Sequence, residues 1–398
     1  MSAPLEGLKV VELARILAGP WIGQTLADLG ADVIKVEAPE GDDTRKWGPP
    51  FVQGADGTRL DAAYFHACNR GKRSVIADYR QPADLAFVHA LIADADVVIE
   101  NFKTGGLEKY GLDYASLSSR HPRLVYCSVT GFGQDGPYAE RAGYDAMIQG
   151  MGGIMSLTGD PAGEPQKIGV AFADIFTGVY GVIAVQAALA QRERTGRGQH
   201  VDMALLDVMV GVLANQAMNY LVSGNTPTRY GNAHPNIVPY QVFAVADGHI
   251  MLAVGNDGQY QRLCEILGAS ELASEPRYAT NEGRVIHRAA LVPALGDYIG
   301  RWPRDALLGR LATAAVPAGP INTVADVFAD PQVQHRGMQL ALDAPYVQGG
   351  VMPGVRTPIV LSDAQLATGL PAPLLGEHTA EVRRAYGFES TESMKGQS

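Results

Sequence analysis

Leu8-Lys-Val-Val-Glu-Leu13 and Asp32-Val-Ile-Lys-Val-Glu37 are the two segments whose reading decides the fold. Each is a short run with an aliphatic, β-branched centre, which reads as a buried strand. Between them Pro20 opens and Gly30 closes a helix over residues 21–29. Strand, helix and strand in that order form a parallel crossover unit. Working outward, Ser74-Val-Ile-Ala-Asp78, Asp96-Val-Val-Ile-Glu100 and Leu124-Val-Tyr-Cys-Ser-Val129 repeat the strand pattern, and residues 83–93 supply another helix.

The expected fold is therefore α/β, a Rossmann-like large domain with a parallel sheet. The opening mimics a dinucleotide-binding unit, including an acid, Glu37, at the end of the second strand. The turn after the first strand reads Ala14-Arg-Ile-Leu-Ala-Gly19-Pro20 and lacks the glycines that let a pyrophosphate approach. A nicotinamide-dependent oxidoreductase is the more distant alternative that this missing fingerprint argues against.

At 398 residues and 46% hydrophobic content, the chain has material for two cored domains. A net charge of −10 argues against broad nucleic-acid binding but leaves room for a local anion site. Cys68, Cys127 and Cys264 are scattered, with neither a disulfide framework nor metal-ligand spacing, so no metal is expected. The opening Met-Ser-Ala-Pro-Leu-Glu-Gly has no secretory-leader pattern, and no charge-free apolar run reaches bilayer length. A cytoplasmic location without a membrane association is expected.

Further helices are expected over residues 144–155, 174–194 and 204–222, the second closed by Thr195-Gly-Arg-Gly198. Gly, Pro, Asn and Thr crowd residues 224–236, which read as a linker. Beyond it come strands at 240–244 and 249–254 and helices starting at Tyr260, Arg288 and Arg304. The expected organisation is a large domain over 1–200, a helix and linker over 201–228, a small α+β domain over 229–323, and a return to the large domain over 324–398.

Asp174 lies where a polar loop gives way to an apolar helical run, Ile175 to Leu189, with no further charge until Arg192. By position alone such an acid is a helix N-cap. Free N–H groups there would favour its ionised form by about 0.3–1 kcal/mol. Val170, Phe172, Ile175 and Phe176 surround it in sequence and would help to exclude water.

Several separated stretches resemble one family in order and along nearly the whole chain. They are Leu5-Glu-Gly-Leu-Lys-Val-Val-Glu-Leu13, Leu29-Gly-Ala-Asp-Val-Ile-Lys-Val-Glu37, Asn69-Arg-Gly-Lys-Arg-Ser74, Glu100-Asn-Phe102 and Gly143-Tyr-Asp-Ala146. Phe172-Ala-Asp-Ile-Phe-Thr-Gly178, Arg194-Thr-Gly-Arg-Gly-Gln199, Asp330-Pro-Gln-Val333 and Leu374-Leu-Gly-Glu-His378 complete the set. The chain resembles the class III coenzyme A transferases, the CaiB/BaiF or formyl-CoA transferase family. The resemblance implies a homodimer of interlocked ring-like monomers and Asp174 as a nucleophile that passes through a mixed anhydride and an aspartyl-CoA thioester. A carboxylate suits that role because the exchange must conserve thioester energy. No permanently bound cofactor is implied; CoA and acyl-CoA are substrates.

The same fold hosts α-methylacyl-CoA racemases, which pair the aspartate with a histidine in Gly-His-Asp. Here the motif is Gly143-Tyr144-Asp145, and a phenol of ordinary pKa, about 10, is a poor proton carrier at neutral pH. Transfer is therefore the favoured activity and racemisation the alternative. The resemblance further implies CoA contacts at Arg15, Ile16, Leu17 and Ala18, at Asn101 and Phe102, at Lys109 and at Tyr144. Arg45 and the basic knot of Arg70, Lys72 and Arg73 are added for their charge, although any one such residue is ordinarily a solvated surface cation. Gly255, Gly258 and Gln259 match a family loop that closes over the intermediate. Ala38, Ala142 and Leu17 depart from formyl-CoA transferase, and Leu17 argues against formyl or oxalyl groups. Around His234, Glu275-Pro-Arg-Tyr278 and Gly319-Pro-Ile-Asn322, the chain looks like the succinyl-CoA:dicarboxylate branch. Arg15 and Arg45 are the candidates for pairing a distal carboxylate in a forked geometry.

Overall fold

The computed structural model describes residues 2–388. Within them the chain divides into two units: residues 2–153, 168–217 and 331–388 form the larger, and 154–167 with 218–330 the smaller. The smaller unit thus extends past the expected 229–323 at both ends and takes in a segment read from sequence as part of the large domain.

Six strands carry the larger unit: β1 (Lys9–Glu12), β2 (Asp32–Glu37), β3 (Arg73–Ile76), β4 (Val97–Glu100), β5 (Val125–Thr130) and β6 (His200–Ala204). All pairs are parallel and the order is β3-β2-β1-β4-β5-β6. The direction of winding reverses between β1 and β4, which opens a crevice at the carboxyl ends of those two strands. Valines and isoleucines in the strand centres bury both faces, together with the buried charges of Glu12, Lys35 and Glu37; β4 is buried throughout.

Helix α1 (Ala18–Asp28) joins β1 to β2 and starts three residues before the expected position, because Pro20 falls inside its first turn. Helix α2 is Pro82–Ala93, α3 is Asp145–Met151, α4 is Phe172–Thr195 and α5 is Leu205–Gly211. In α4, Gly178 and Gly181 meet Trp21 and Ile22 of α1, and a Cβ at either glycine would collide with those side chains. The two helices therefore cross in close contact over the sheet. By length and composition alone α4 would also pass as a membrane span, as a largely buried core helix can.

Two expected helices are interrupted. The run 144–155 ends at Met151, where Gly152 and Gly153 intervene, and Ile154–Leu157 belongs to the smaller unit. The run 204–222 breaks at Ala214, whose φ of 46° is left-handed, into α5 and a second helix, Ala214–Ser223. Strand β6, ahead of both, was not foreseen: His200 and Asp202 alternate with Val201 and Met203, a half-buried edge-strand pattern.

The tail packs on the β3 edge. Thr379 Oγ1 accepts from the Ile76 N–H at 3.0 Å, and Val382 of the helix Thr379–Ala385 enters the core beside Phe87. In the smaller unit, Gly248–Ala253 pairs antiparallel with Tyr240–Val245 and Ala318–Pro320. The helices Asp257–Leu267, Arg288–Ile299 and Arg304–Thr313 cover that sheet with Leu263, Leu295 and Leu307.

Candidate functional site

The carboxyl ends of β1, β4 and β5 frame a cleft of about 400 Å³ in the larger unit. It is lined by Arg15, Ile16, Leu17 and Ala18 after β1, by Asn101 and Phe102 after β4, and by Tyr144 and Asp174. Eight of the residues singled out from sequence thus come together from four separate segments.

The loop after β1 is tied to β4 through Asn101. Its Oδ1 accepts from the Arg15 N–H at 2.9 Å and its Nδ2 donates to the Arg15 carbonyl at 2.7 Å. The Arg15 guanidinium reaches the Asp43 carboxylate at 2.7 Å, with both side chains largely in solvent.

Asp174 is the third residue of α4 and not its N-cap; Ala171 holds that position and has no side chain able to cap. The cap comes from another helix. Asp145 Oδ1 accepts from the N–H groups of Ala173, at 2.8 Å, and Asp174, at 3.2 Å. Asp145 Oδ2 takes a hydrogen bond from Gln149 at 2.7 Å. Gly143 packs so closely on Gly131 that a Cβ on either would lie within 2.6 Å of the other's Cα, which pins the Tyr144–Asp145 segment against the end of β5.

This arrangement reverses the electrostatic expectation for Asp174. Burial first, and the Asp145 charge second, push its carboxyl up to about 7. The N–H groups that would have favoured the anion are already engaged by Asp145. Among the described residues nothing donates a hydrogen bond to the Asp174 carboxylate. The Phe172 and Phe176 rings meet beside it at 4.4 Å, tilted by 39°, and Tyr64, whose ring meets Trp47 at 5.4 Å, is pushed up to about 12 by burial and, secondarily, by the Asp174 charge. Tyr64, Asp145 and the cleft-lining Arg141 were not singled out from sequence.

Several expected CoA contacts lie elsewhere, and the reason is charge pairing. Arg45 is buried; it forks onto Glu37 at 2.6 and 2.8 Å, meets Asp61 at 2.5 Å, and lies 3.6 Å above the Phe65 ring. Lys72 is buried against Glu12, at 2.8 Å, the Pro20 carbonyl and Asn69. Arg70 is buried on Asp28. Arg73, the first residue of β3, pairs with Asp32 at the opposite end of the sheet from the cleft. Buried cations of this kind are held by their partners and are not free to meet a phosphate. Arg45 is thus fully engaged by Glu37 and Asp61 and does not line the Asp174 cleft.

Lys109 sits on a short turn with its ammonium 4.8 Å from the Tyr110 ring, outside the Asp174 cleft. A neighbouring cavity of about 380 Å³ is lined by Ala38, Tyr79, Arg80 and Tyr110 and shares Phe102 and Arg15 with the cleft. Gly255, Gly258 and Gln259 belong to the smaller unit, where they form a helix start: Asn256 caps Gln259 N at 2.9 Å and Gln259 Oε1 accepts from Gly255 N at 2.7 Å.

The sequence motifs implied a parallel α/β sheet and an active-site aspartate of one family, and the profile of CoA-transferase family III matches residues 5–379. The chain belongs to that family and is a class III CoA-transferase. It is 60% identical over 380 residues to the succinate–glutarate CoA-transferase of Agrobacterium fabrum, covering 95% of this chain and 94% of the relative. It is 40% identical to the human succinyl-CoA:glutarate CoA-transferase, covering 95% and 85% respectively. A crystal structure of a CAIB/BAIF family protein from Brucella suis superposes with a TM-score of 0.86 at 64% identity, covering 97% of this chain and all of that one.

Proposed function

We propose that this enzyme moves CoA from succinyl-CoA to a second dicarboxylic acid of glutarate type, with Asp174 as the covalent relay. The observation that carries the relay is the Asp174 carboxylate itself: it lies in the cleft with no hydrogen-bond donor among the described residues, so its oxygens are available to react. The choice of substrates is supported by the relatives at 60% and 40% identity.

In the first step an Asp174 oxygen attacks the thioester carbonyl carbon. The C–S bond breaks, CoA leaves as its thiolate, and a succinyl–aspartyl anhydride remains. The thiolate then attacks Cγ of Asp174, which releases succinate and leaves an aspartyl-CoA thioester. The acceptor carboxylate attacks that thioester, and the freed thiolate attacks the acceptor's acyl carbon. The new acyl-CoA departs and Asp174 is a carboxylate again. Each step exchanges one acyl bond for another, and no proton is consumed. Water would divert either intermediate, and the Phe172 and Phe176 rings, packed together at 4.4 Å, help to exclude it.

Arg15, Ile16, Leu17, Ala18, Asn101, Phe102 and Tyr144 are proposed to contact CoA. The aromatic neighbours Tyr79, Phe102 and Tyr110 suit its nucleobase end. A homodimer is proposed as well, because Val179, Tyr180 and Ile183 leave an exposed apolar stripe on α4.

Intact-protein mass spectrometry after mixing with succinyl-CoA tests the relay. A CoA adduct on Asp174, lost in Asp174→Ala together with all transfer, is the expected result. Transfer by Asp174→Ala, or catalytic exchange of the α-proton of a 2-methylacyl-CoA by the unaltered enzyme, overturns it.

A further inference from the structure

The loop that opens the cleft contains a backbone outlier. Ile16 has φ of 73°, in the left-handed region. A β-branched residue is strongly disfavoured there, and glycine would adopt the conformation without cost. Such a conformation persists only where the surroundings over-determine it.

The surroundings are a buried, charge-balanced cluster. The Ile16 N–H donates to both oxygens of Asp42, at 3.1 and 3.2 Å. Asp42 Oδ2 also meets the Lys35 ammonium at 2.9 Å, and Oδ1 takes the N–H and hydroxyl of Thr44 at 3.0 and 2.7 Å. Lys35 in turn meets Glu12 at 3.1 Å and donates to the Ala14 carbonyl at 2.8 Å, two residues before Ile16. Glu12 takes a second ammonium from Lys72 at 2.8 Å. Lys35, Glu12 and Asp42 have at most 1% of their side-chain surface exposed, so solvent does not compete for these bonds. Below the loop, Cys68 Sγ lies 3.5 Å from the Ile16 carbonyl. None of the four ionised residues lines the Asp174 cleft, whereas the backbone they hold does.

We propose that Asp42, fixed by Lys35, is a positioning residue: its carboxylate holds Ile16 in the left-handed conformation and so presents residues 15–18 to acyl-CoA. The proposal rests on the reading of the cleft as the acyl-CoA site. Asn101 fixes the Arg15 peptide from β4, and Asp42 fixes the next peptide from the β2 side. The loop is then built before substrate arrives, which removes an ordering cost from binding.

Two substitutions at one position contrast the backbone. Ile16→Gly and Ile16→Pro both remove the isoleucine side chain, and proline puts its small ring in its place. Glycine keeps the N–H and the left-handed conformation; proline, with φ near about −65°, has neither. Calorimetric titration with CoA should show Ile16→Pro binding about tenfold or more weakly than Ile16→Gly, the loss for a hydrogen bond to a charged acceptor. In an Asp42→Ala background the hydrogen-bond share of that gap should vanish and the gap should narrow severalfold, leaving only the part that comes from proline's fixed φ. A gap below about twofold with Asp42 present overturns the clamp, as does an undiminished gap without Asp42. Where Asp42→Ala does not fold, the Gly–Pro contrast in the unaltered background decides. Amide hydrogen exchange gives a reading independent of CoA. Slow exchange at Ile16 in the unaltered protein is expected, and fast exchange there removes the clamp. Slow exchange in a protein that fails to bind CoA would overturn the reading of the cleft and not the clamp.

Discussion

Asp145 caps the helix that carries Asp174. One carboxylate oxygen accepts from the Asp174 N–H at 3.2 Å and from the preceding N–H at 2.8 Å, so a second negative charge sits against the proposed nucleophile. The cap orients the first turn of α4, and its charge joins burial in raising the Asp174 carboxyl. The two effects of one residue can be separated, because an amide oxygen still caps but carries no charge.

The acid limb of kcat/KM for acyl-CoA should therefore turn over near pH 7, where Asp174 ionises in the free enzyme. Asp145→Asn keeps an oxygen for the two N–H groups and removes the repulsion. Its limb should move to lower pH without reaching the ordinary carboxylate range, since burial is the larger cause. An unmoved limb in a stopped-flow or coupled assay would show that the Asp145 charge does not act on Asp174.

The same shift makes a statement about stability. Asp174 has a folded pKa raised from 3.8 to about 7, so the folded state binds its proton more tightly than the unfolded state does. The favourable contribution of the neutral form is complete at low pH and is lost as pH rises through about 7. Asp174→Asn, uncharged at every pH, should melt above the unaltered protein at pH 8, and the difference should shrink toward pH 4. Thermal denaturation followed by circular dichroism at both pH values checks this; a difference that grows on acidification would contradict it.

The parallel sheet was legible because each strand has an aliphatic centre buried on both faces, even though Glu12, Lys35 and Glu37 are buried within it. Asp32–Glu37 coincides with the expected strand, and the β1–α1–β2 order follows from Pro20, Gly30 and the flanking valines. Strand β6 was not legible, because alternation of His200 and Asp202 with apolar residues over five positions is too short to stand out ahead of a helix. The role of Asp145 was hidden for a different reason: its partners lie 28 and 29 residues away, and no local spacing encodes a cap supplied by another helix. Arg45 and Lys72 misled in the same manner. In sequence they are cations in loops, whereas Glu12, the ion partner of Lys72, comes 60 residues earlier and meets it only when the sheet forms.

Arg45 gives the sharpest contrast between the two readings of those cations. As a CoA contact its loss would weaken substrate binding and spare the fold. As the buried partner of Glu37 and Asp61 its loss leaves two carboxylates without their cation. Arg45→Ala should therefore lower unfolding free energy by about 3–5 kcal/mol in urea titration. A variant as stable as the parent, with a raised KM for acyl-CoA, would restore the contact role.

The exposed stripe on α4 tests assembly. Val179, Tyr180 and Ile183 are 43%, 45% and 58% exposed on a helix whose other side, at Gly178 and Gly181, is closed by α1. Met147 and Met151 of α3 and Val210 of α5, helices that pack on α4, are also more than 40% exposed. A second copy of the chain would remove this apolar surface from water at about 25 cal/mol per Å². Ile183→Glu would place a charge in that interface while leaving the α1 contact untouched. Sedimentation velocity should give a dimer for the unaltered chain and a shift toward monomer for Ile183→Glu, with the far-ultraviolet circular dichroism retained. A monomer for the unaltered chain at micromolar concentration would show that the stripe is not a self-association surface.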